Sequence, residues 1–130
     1  MAKLDEYPTI GSGNLKKEVI TQNGQTTTYD SENDDDTENI AAVAGGLGVV
    51  SLDKVAEYSV EDEHLSEYGL DEKSRITVEA TYSEEKKEKV LTLYIGKEDG
   101  SGNHYVMIND SKIVYLISTE ICNNILNVED

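Results

Sequence analysis

Residues 67–82 read Glu67-Tyr68-Gly69-Leu70-Asp71-Glu72-Lys73-Ser74-Arg75-Ile76-Thr77-Val78-Glu79-Ala80-Thr81-Tyr82, and they hold a helix end followed by a strand. Asp62 to Tyr68 has the make-up of a short helix, with Asp62 as N-cap and Glu63 near the positive end of the helix dipole. Gly69 then falls at the first non-helical position, where φ turns positive and a residue without Cβ is favoured. Leu70, just past the cap, and Leu65, three positions before the cap residue, take the two places that touch in a Schellman ending. From Arg75 the period changes. Ile76, Val78, Ala80 and Tyr82 fall on one face and Thr77, Glu79 and Thr81 on the other, which marks a half-buried strand.

Downstream the strand patterns continue. Ser83 to Lys89 reads as a charged connection, and Val90 to Ile95 is apolar at nearly every position, which predicts a central strand covered on both sides. Gly96 to Asn103 is a glycine-rich polar loop. His104–Ile108 and Ile113–Ile117 are two further strands, joined by a four-residue loop at Asn109-Asp110-Ser111-Lys112. Strands in series with short joints predict an antiparallel meander.

Upstream, Asn23-Gly24 lies between Glu18–Thr21 and Gln25–Tyr29 and is the strongest short hairpin signal in the chain. Threonines 26 to 28 bury little, so this hairpin belongs at an edge and must lean on the rest of the domain. Pro8 and Gly11-Ser12-Gly13-Asn14 predict a flexible segment over residues 1–15, with a brief extended piece at Tyr7 to Ile10, ahead of a single domain over 16–130. Asp34-Asp35-Asp36-Thr37 supplies an N-cap (Asp36 or Thr37) and negative charge for a helix from Glu38 to Val50. Ile40, Val43, Ala44, Leu47 and Val50 form its apolar stripe. Gly45, Gly46 and Gly48 weaken it; either they let the helix approach the sheet closely, the favoured reading, or they end it at Gly45. Val55 to Val60 is a short extended segment. At the other end Ser118 or Thr119 caps a last helix, with Glu120 in its first turn and Ile121, Ile125 and Val128, flanked by Cys122 and Leu126, as its apolar side. The fold expected is α+β: an antiparallel sheet of four or more strands with the two helices packed on one face.

In order along the chain, Val55–Leu70 with Tyr68-Gly69-Leu70-Asp71, the strand pair ending Leu93-Tyr94-Ile95-Gly96, then Tyr105-Val106 and Val114-Tyr115-Leu116-Ile117, resemble the DUF4340 family, a domain of unknown function. The resemblance covers residues 38 to 126. Where the family often has Pro soon after the turn, Lys73-Ser74 stands here, which loosens the start of the next strand. The resemblance implies a non-catalytic, extracytoplasmic module of a membrane-anchored protein, accessory to an ABC-type transport system and partnered by transporter components. Met1-Ala2-Lys3-Leu4-Asp5-Glu6 holds no signal peptide, and no apolar run approaches a membrane span; the anchor that the resemblance implies is expected upstream of this piece.

The formal charge of −16 argues against nucleic acid or an anionic membrane face as a partner. Cys122 is the lone cysteine and has no mate for a disulfide or a paired-cysteine metal site. His64 and His104 are the only histidines, and neither shares a metal or nucleophile spacing with another residue. A Cys122/His104 dyad could assemble only in space, and Cys122 falls on a core-facing helix side where a thiol is inert. The acidic run Asp30–Asp36 fails the EF-hand spacing, because Asp35 stands where glycine is required and Ala41 where the bidentate acid belongs. Gly45-Gly46-Leu47-Gly48 follows a helical pattern instead of opening one, and Gly96–Gly102 lacks a phosphate-loop ending. With eight Tyr and neither Trp nor Phe, the aromatic packing is tyrosine, expected at the rim of a half-covered sheet. No catalytic, cofactor-binding or metal residues are assigned, and the expectation is that the domain is not an enzyme. Two rival readings remain at this stage: a ligand-binding or enzymatic domain using a pocket between sheet and helices, with tyrosines and His104 as its polar groups, and a structural spacer in a surface protein.

Overall fold

Two strands, β1 (Leu15–Gln22) and β2 (Gln25–Asp30), reverse on Asn23 and Gly24, whose φ values of 53° and 79° make the left-handed two-residue turn their types favour. In a computed structural model, described over residues 7–11 and 13–127, this hairpin opens a seven-stranded antiparallel sheet. The other strands are β3 (Val55–Glu57), β4 (Ile76–Glu84), β5 (Lys87–Glu98), β6 (Asn103–Ile108) and β7 (Val114–Ser118), in the spatial order β2-β1-β4-β5-β6-β7-β3. β4 to β7 form the expected meander, and the early hairpin extends it at one edge.

The charged connection expected over Ser83–Lys89 is instead strand on both sides of a second two-residue turn. Glu85 and Lys86 adopt φ of 52° and 68°, and the ladder runs on through Glu84↔Lys87. Neither residue favours that backbone region, so the turn carries no sequence signal; the long β4–β5 ladder imposes it.

The helices α1 (Thr37–Leu47) and α2 (Thr119–Leu126) share one face of the sheet. Ile40, Val43, Ala44 and Leu47 from α1 and Cys122 and Ile125 from α2 are buried against Ile20, Val78, Leu91, Leu93, Ile95, Ile108 and Tyr115. Each such aliphatic side chain contributes roughly 1.5–3 kcal/mol of burial. Of the segment expected to be flexible, Ile10 is buried in this core and Leu15 opens β1. Residues 1–6 and Ser12 lie outside the described residues.

Three helix expectations need correction. α1 stops at Leu47, short of Val50. Asp36 flanks it but does not cap it; its carboxylate reaches back to accept the Asp30 N–H at 3.1 Å, and Asn33 caps the preceding 3-10 turn at Asp34–Asp36. Gly46 brings α1 against the other helix, not the sheet, because a Cβ there would lie 2.7 Å from Ile125 N and 2.9 Å from Asn124 Cβ. Ser118 caps α2 as expected, accepting from Ile121 N at 3.2 Å, while Val128 lies outside the described residues. No helix among the described residues is long and apolar enough to cross a membrane.

Candidate functional site

The face of the sheet away from the helices is divided, and the division begins at Gly69. Asp62–Tyr68 is a 3-10 helix whose end matches the sequence expectation: Gly69 has φ of 67°, its N–H donates to Ser66 O at 3.2 Å, and Leu70 N–H donates to Leu65 O at 2.9 Å. The start differs, since Glu61 holds the cap position without a side-chain bond. Asp62 faces another element: its carboxylate accepts from Lys112 Nζ at 3.0 Å, beside a bond from Val60 N to Lys112 O of 2.9 Å. This segment lies on the second face over β5, β6 and β7, where Val60, Leu70, Met107 and Val114 are buried together with Leu65, Tyr68, Tyr94 and Tyr105 against them.

Two glycines make that contact possible. A Cβ at Gly96, within β5, would overlap the carbonyl oxygen of Tyr68 and stand 3.0 Å from Leu70 Cγ. A Cβ at Gly69 would stand 2.7 Å from Lys97 N. The turn Tyr68-Gly69-Leu70 and the strand end Ile95-Gly96-Lys97 are therefore two sides of one backbone-on-backbone seam. Around it the tyrosines are partnered: the Tyr68 hydroxyl donates to Glu57 Oε2 at 3.3 Å, its ring meets Tyr105 edge-on at 4.8 Å, and the Arg75 guanidinium lies 4.2 Å over Tyr94. At the Lys73-Ser74 departure, Ser74 N–H donates to Asp71 O at 3.0 Å, a bond that proline lacks, and β4 starts at Ile76.

The other half is open. Paired residues give three rows across it: Thr26-Thr21-Thr77-Tyr94, Thr28-Val19-Glu79-Thr92 and Asp30-Lys17-Thr81-Val90. Val90 is 53% exposed, so β5 is covered on both sides only toward its Gly96 end, contrary to the expectation from its apolar run. Hydroxyls and short side chains dominate, and one end of the surface drops into a cleft of about 450 Å³ lined by Lys16, Lys17, Asp30, Ser31, Glu32, Thr81 and Glu88. The sheet edges contrast as well. β3 is three residues long with an irregular register against β7, whereas β2 is six residues long and carries neither lysine nor proline.

Behind the open half, on the helix side, sits a residue that sequence reasoning missed. Glu18 pairs across the sheet with Tyr29 and Ala80, is 0% exposed, and has no hydrogen-bond partner among the described residues for either carboxylate oxygen. Burial pushes its carboxyl up to about 8, so it is protonated at neutral pH. The Tyr7 hydroxyl is likewise buried without a partner among the described residues, and its pKa is raised first by burial and then by the Glu18 charge. The register shift between Leu15 and Lys17 hides the phase of β1, which is why alternation in the sequence does not place Glu18 inside.

The residues weighed in the sequence have other occupations. Cys122 is buried with its Sγ 3.9 Å from Ile117 O, and burial pushes the thiol up to about 12, far from a reactive thiolate. His104 Nδ1 is 2.8 Å from Gly96 O and Nε2 is 3.7 Å from Glu98 Oε1. His64 comes together with Glu61 and Glu63, donor atoms within 4.8 Å, but all three are exposed, as is ordinary on so acidic a surface. In the loop before β6, the Asp99 carboxylate accepts from Ser101 N at 2.7 Å and Asn103 N at 3.1 Å, closing the turn on itself. The gap between sheet and helices near Cys122 is too narrow for a water molecule.

A sequence profile described as "Domain of unknown function (DUF4340)" matches residues 26–128. No curated protein and no solved structure matches the chain.

Proposed function

This chain belongs to the DUF4340 family, a domain of unknown function, and from that premise we propose that it is a non-catalytic binding module. In this reading it works outside the cytoplasm as part of a membrane-anchored protein and serves an ABC-type transport assembly by holding a protein partner. The observation that carries the binding part is the open half of the second face, a hydroxyl-rich surface ending in a strand edge with no further strand beside it among the described residues. An exposed polar surface of this kind, its cleft lined by charged and hydroxyl side chains, suits a macromolecular partner better than a small ligand, which needs a concave, largely apolar site. The charge of −16 disfavours nucleic acid and anionic lipid as that partner. The location and the transport association rest on the family resemblance.

The test uses the full parent protein in its own cells. Protease applied to intact cells should remove this domain, and cross-linking should recover membrane-embedded transporter subunits attached to it. Recovery of the domain in the cytosol, protected from protease and free of membrane proteins, contradicts the reading; so does turnover of a substrate by the purified domain.

A further inference from the structure

The edge contrast allows the partner's chemistry to be stated. In a two-residue hairpin, Gln22 and Gln25 exchange backbone bonds, and bonded pairs then alternate, so Thr26, Thr28 and Asp30 turn their N–H and C=O groups away from β1. The Asp30 N–H is already taken by Asp36 Oδ2 at 3.1 Å. Thr26 and Thr28 are left presenting a ladder edge with no strand beside it among the described residues. Proteins ordinarily blunt such an edge with lysine, proline, a bulge or extreme shortness; β3 shows the last two devices, and β2 shows none of them. What guards β2 is charge. Asp30, Glu32, Asp34, Asp35 and Asp36 stand at its end, and a second copy of a chain of net charge −16 is repelled from it.

We propose that the outer edge of β2 receives an extended, cationic segment of another protein by strand addition, with Thr26 and Thr28 supplying the backbone rungs. This rests on the reading of the domain as a binding module and names its partner class. Main-chain bonds give such a contact its affinity, and lysine or arginine side chains at the Asp30 end fix its direction. A strand laid there also runs along the open half of the second face, so alternate side chains of the incoming segment meet the threonine rows.

The test is a short, end-blocked peptide of alternating lysine and valine, titrated against the folded domain while amide resonances are followed. Binding with the largest shifts at Thr26 and Thr28 is expected. The same peptide N-methylated at alternate residues keeps its charge but not its rungs, and should bind at least about tenfold more weakly. Thr28→Pro removes an outward N–H without touching the β1 ladder, and should lower affinity for the unmethylated peptide by a similar factor. Equal binding of the two peptides, shifts confined to other elements, or no binding at all overturns the edge assignment. Failure here beside recovery of transporter subunits by the parent protein would reject the edge alone; failure of both would reject the module.

Discussion

The two halves of the sheet's second face were built by opposite means. Over β5 to β7 a 3-10 segment is locked down by glycines that let backbone touch backbone, at Gly96 against Tyr68 O and at Gly69 against Lys97 N. Over β1, β2 and β4 no segment of the described residues is laid down, and the surface is threonine, valine and alternating charge. The difference teaches where to look for function. A seam that admits only glycine leaves a recognisable motif, whereas an open surface of interchangeable side chains leaves none. The motifs of this chain therefore mark its scaffold, and the surface proposed for binding lies in the half without them.

The most severe way to break the contrast is Gly96→Ala. The new methyl meets a backbone oxygen that cannot rotate away, and we expect a loss of at least about 3 kcal/mol in urea denaturation, with amide protection lost first over residues 60–70. A loss under about 0.5 kcal/mol would mean that the seam is not tight.

The open half has its own liability in Glu18. Its carboxyl has an ordinary value of 4.5 when unfolded and about 8 when folded. The folded state thus holds a proton that the unfolded state has released, so the contribution is complete below pH 4.5 and is lost as pH rises to about 8. Stability should fall across that window by about 1.4 kcal/mol per pH unit, with β1 and β2 exchanging amides sooner than β6 and β7. Glu18→Gln should flatten the profile. A wild-type profile that is already flat would contradict the burial.

Gly69→Ala adds left-handed strain to a clash with Lys97 N, and a loss of about 2 kcal/mol is expected. The smallest effect is a gain. Replacing Glu85 with Asn and Lys86 with Gly puts favoured types into a turn at φ of 52° and 68°, and should stabilise by about 1 kcal/mol without disturbing either half. A destabilised double variant would show that the two side chains do more than occupy the turn.

Much of this scaffold was legible beforehand because certain residues admit few conformations. Asn23-Gly24 dictated its turn, Gly69 with Leu65 and Leu70 dictated the helix ending, and the alternation from Ile76 to Tyr82 placed β4 and its buried face. What escaped depended on tertiary contact. Glu85-Lys86 takes a turn that its types disfavour, and Gly96 read as the start of a loop because nothing local says that Tyr68 lies on it. Val90 read as doubly covered because an apolar run does not reveal where the covering segment stops. Glu18 gave no sign at all, being an acid of ordinary appearance put inside by a bulge. The surface proposed for binding was visible only as threonines that bury little.

Pairing Gly69→Ala with Gly96→Ala tests the seam most directly. If the two glycines serve one contact, displacing the segment with the first methyl relieves the clash of the second, and the double variant should lose at least about 1 kcal/mol less than the sum of the singles. Strict additivity of the two losses would show that the glycines act separately and that no shared seam divides the face.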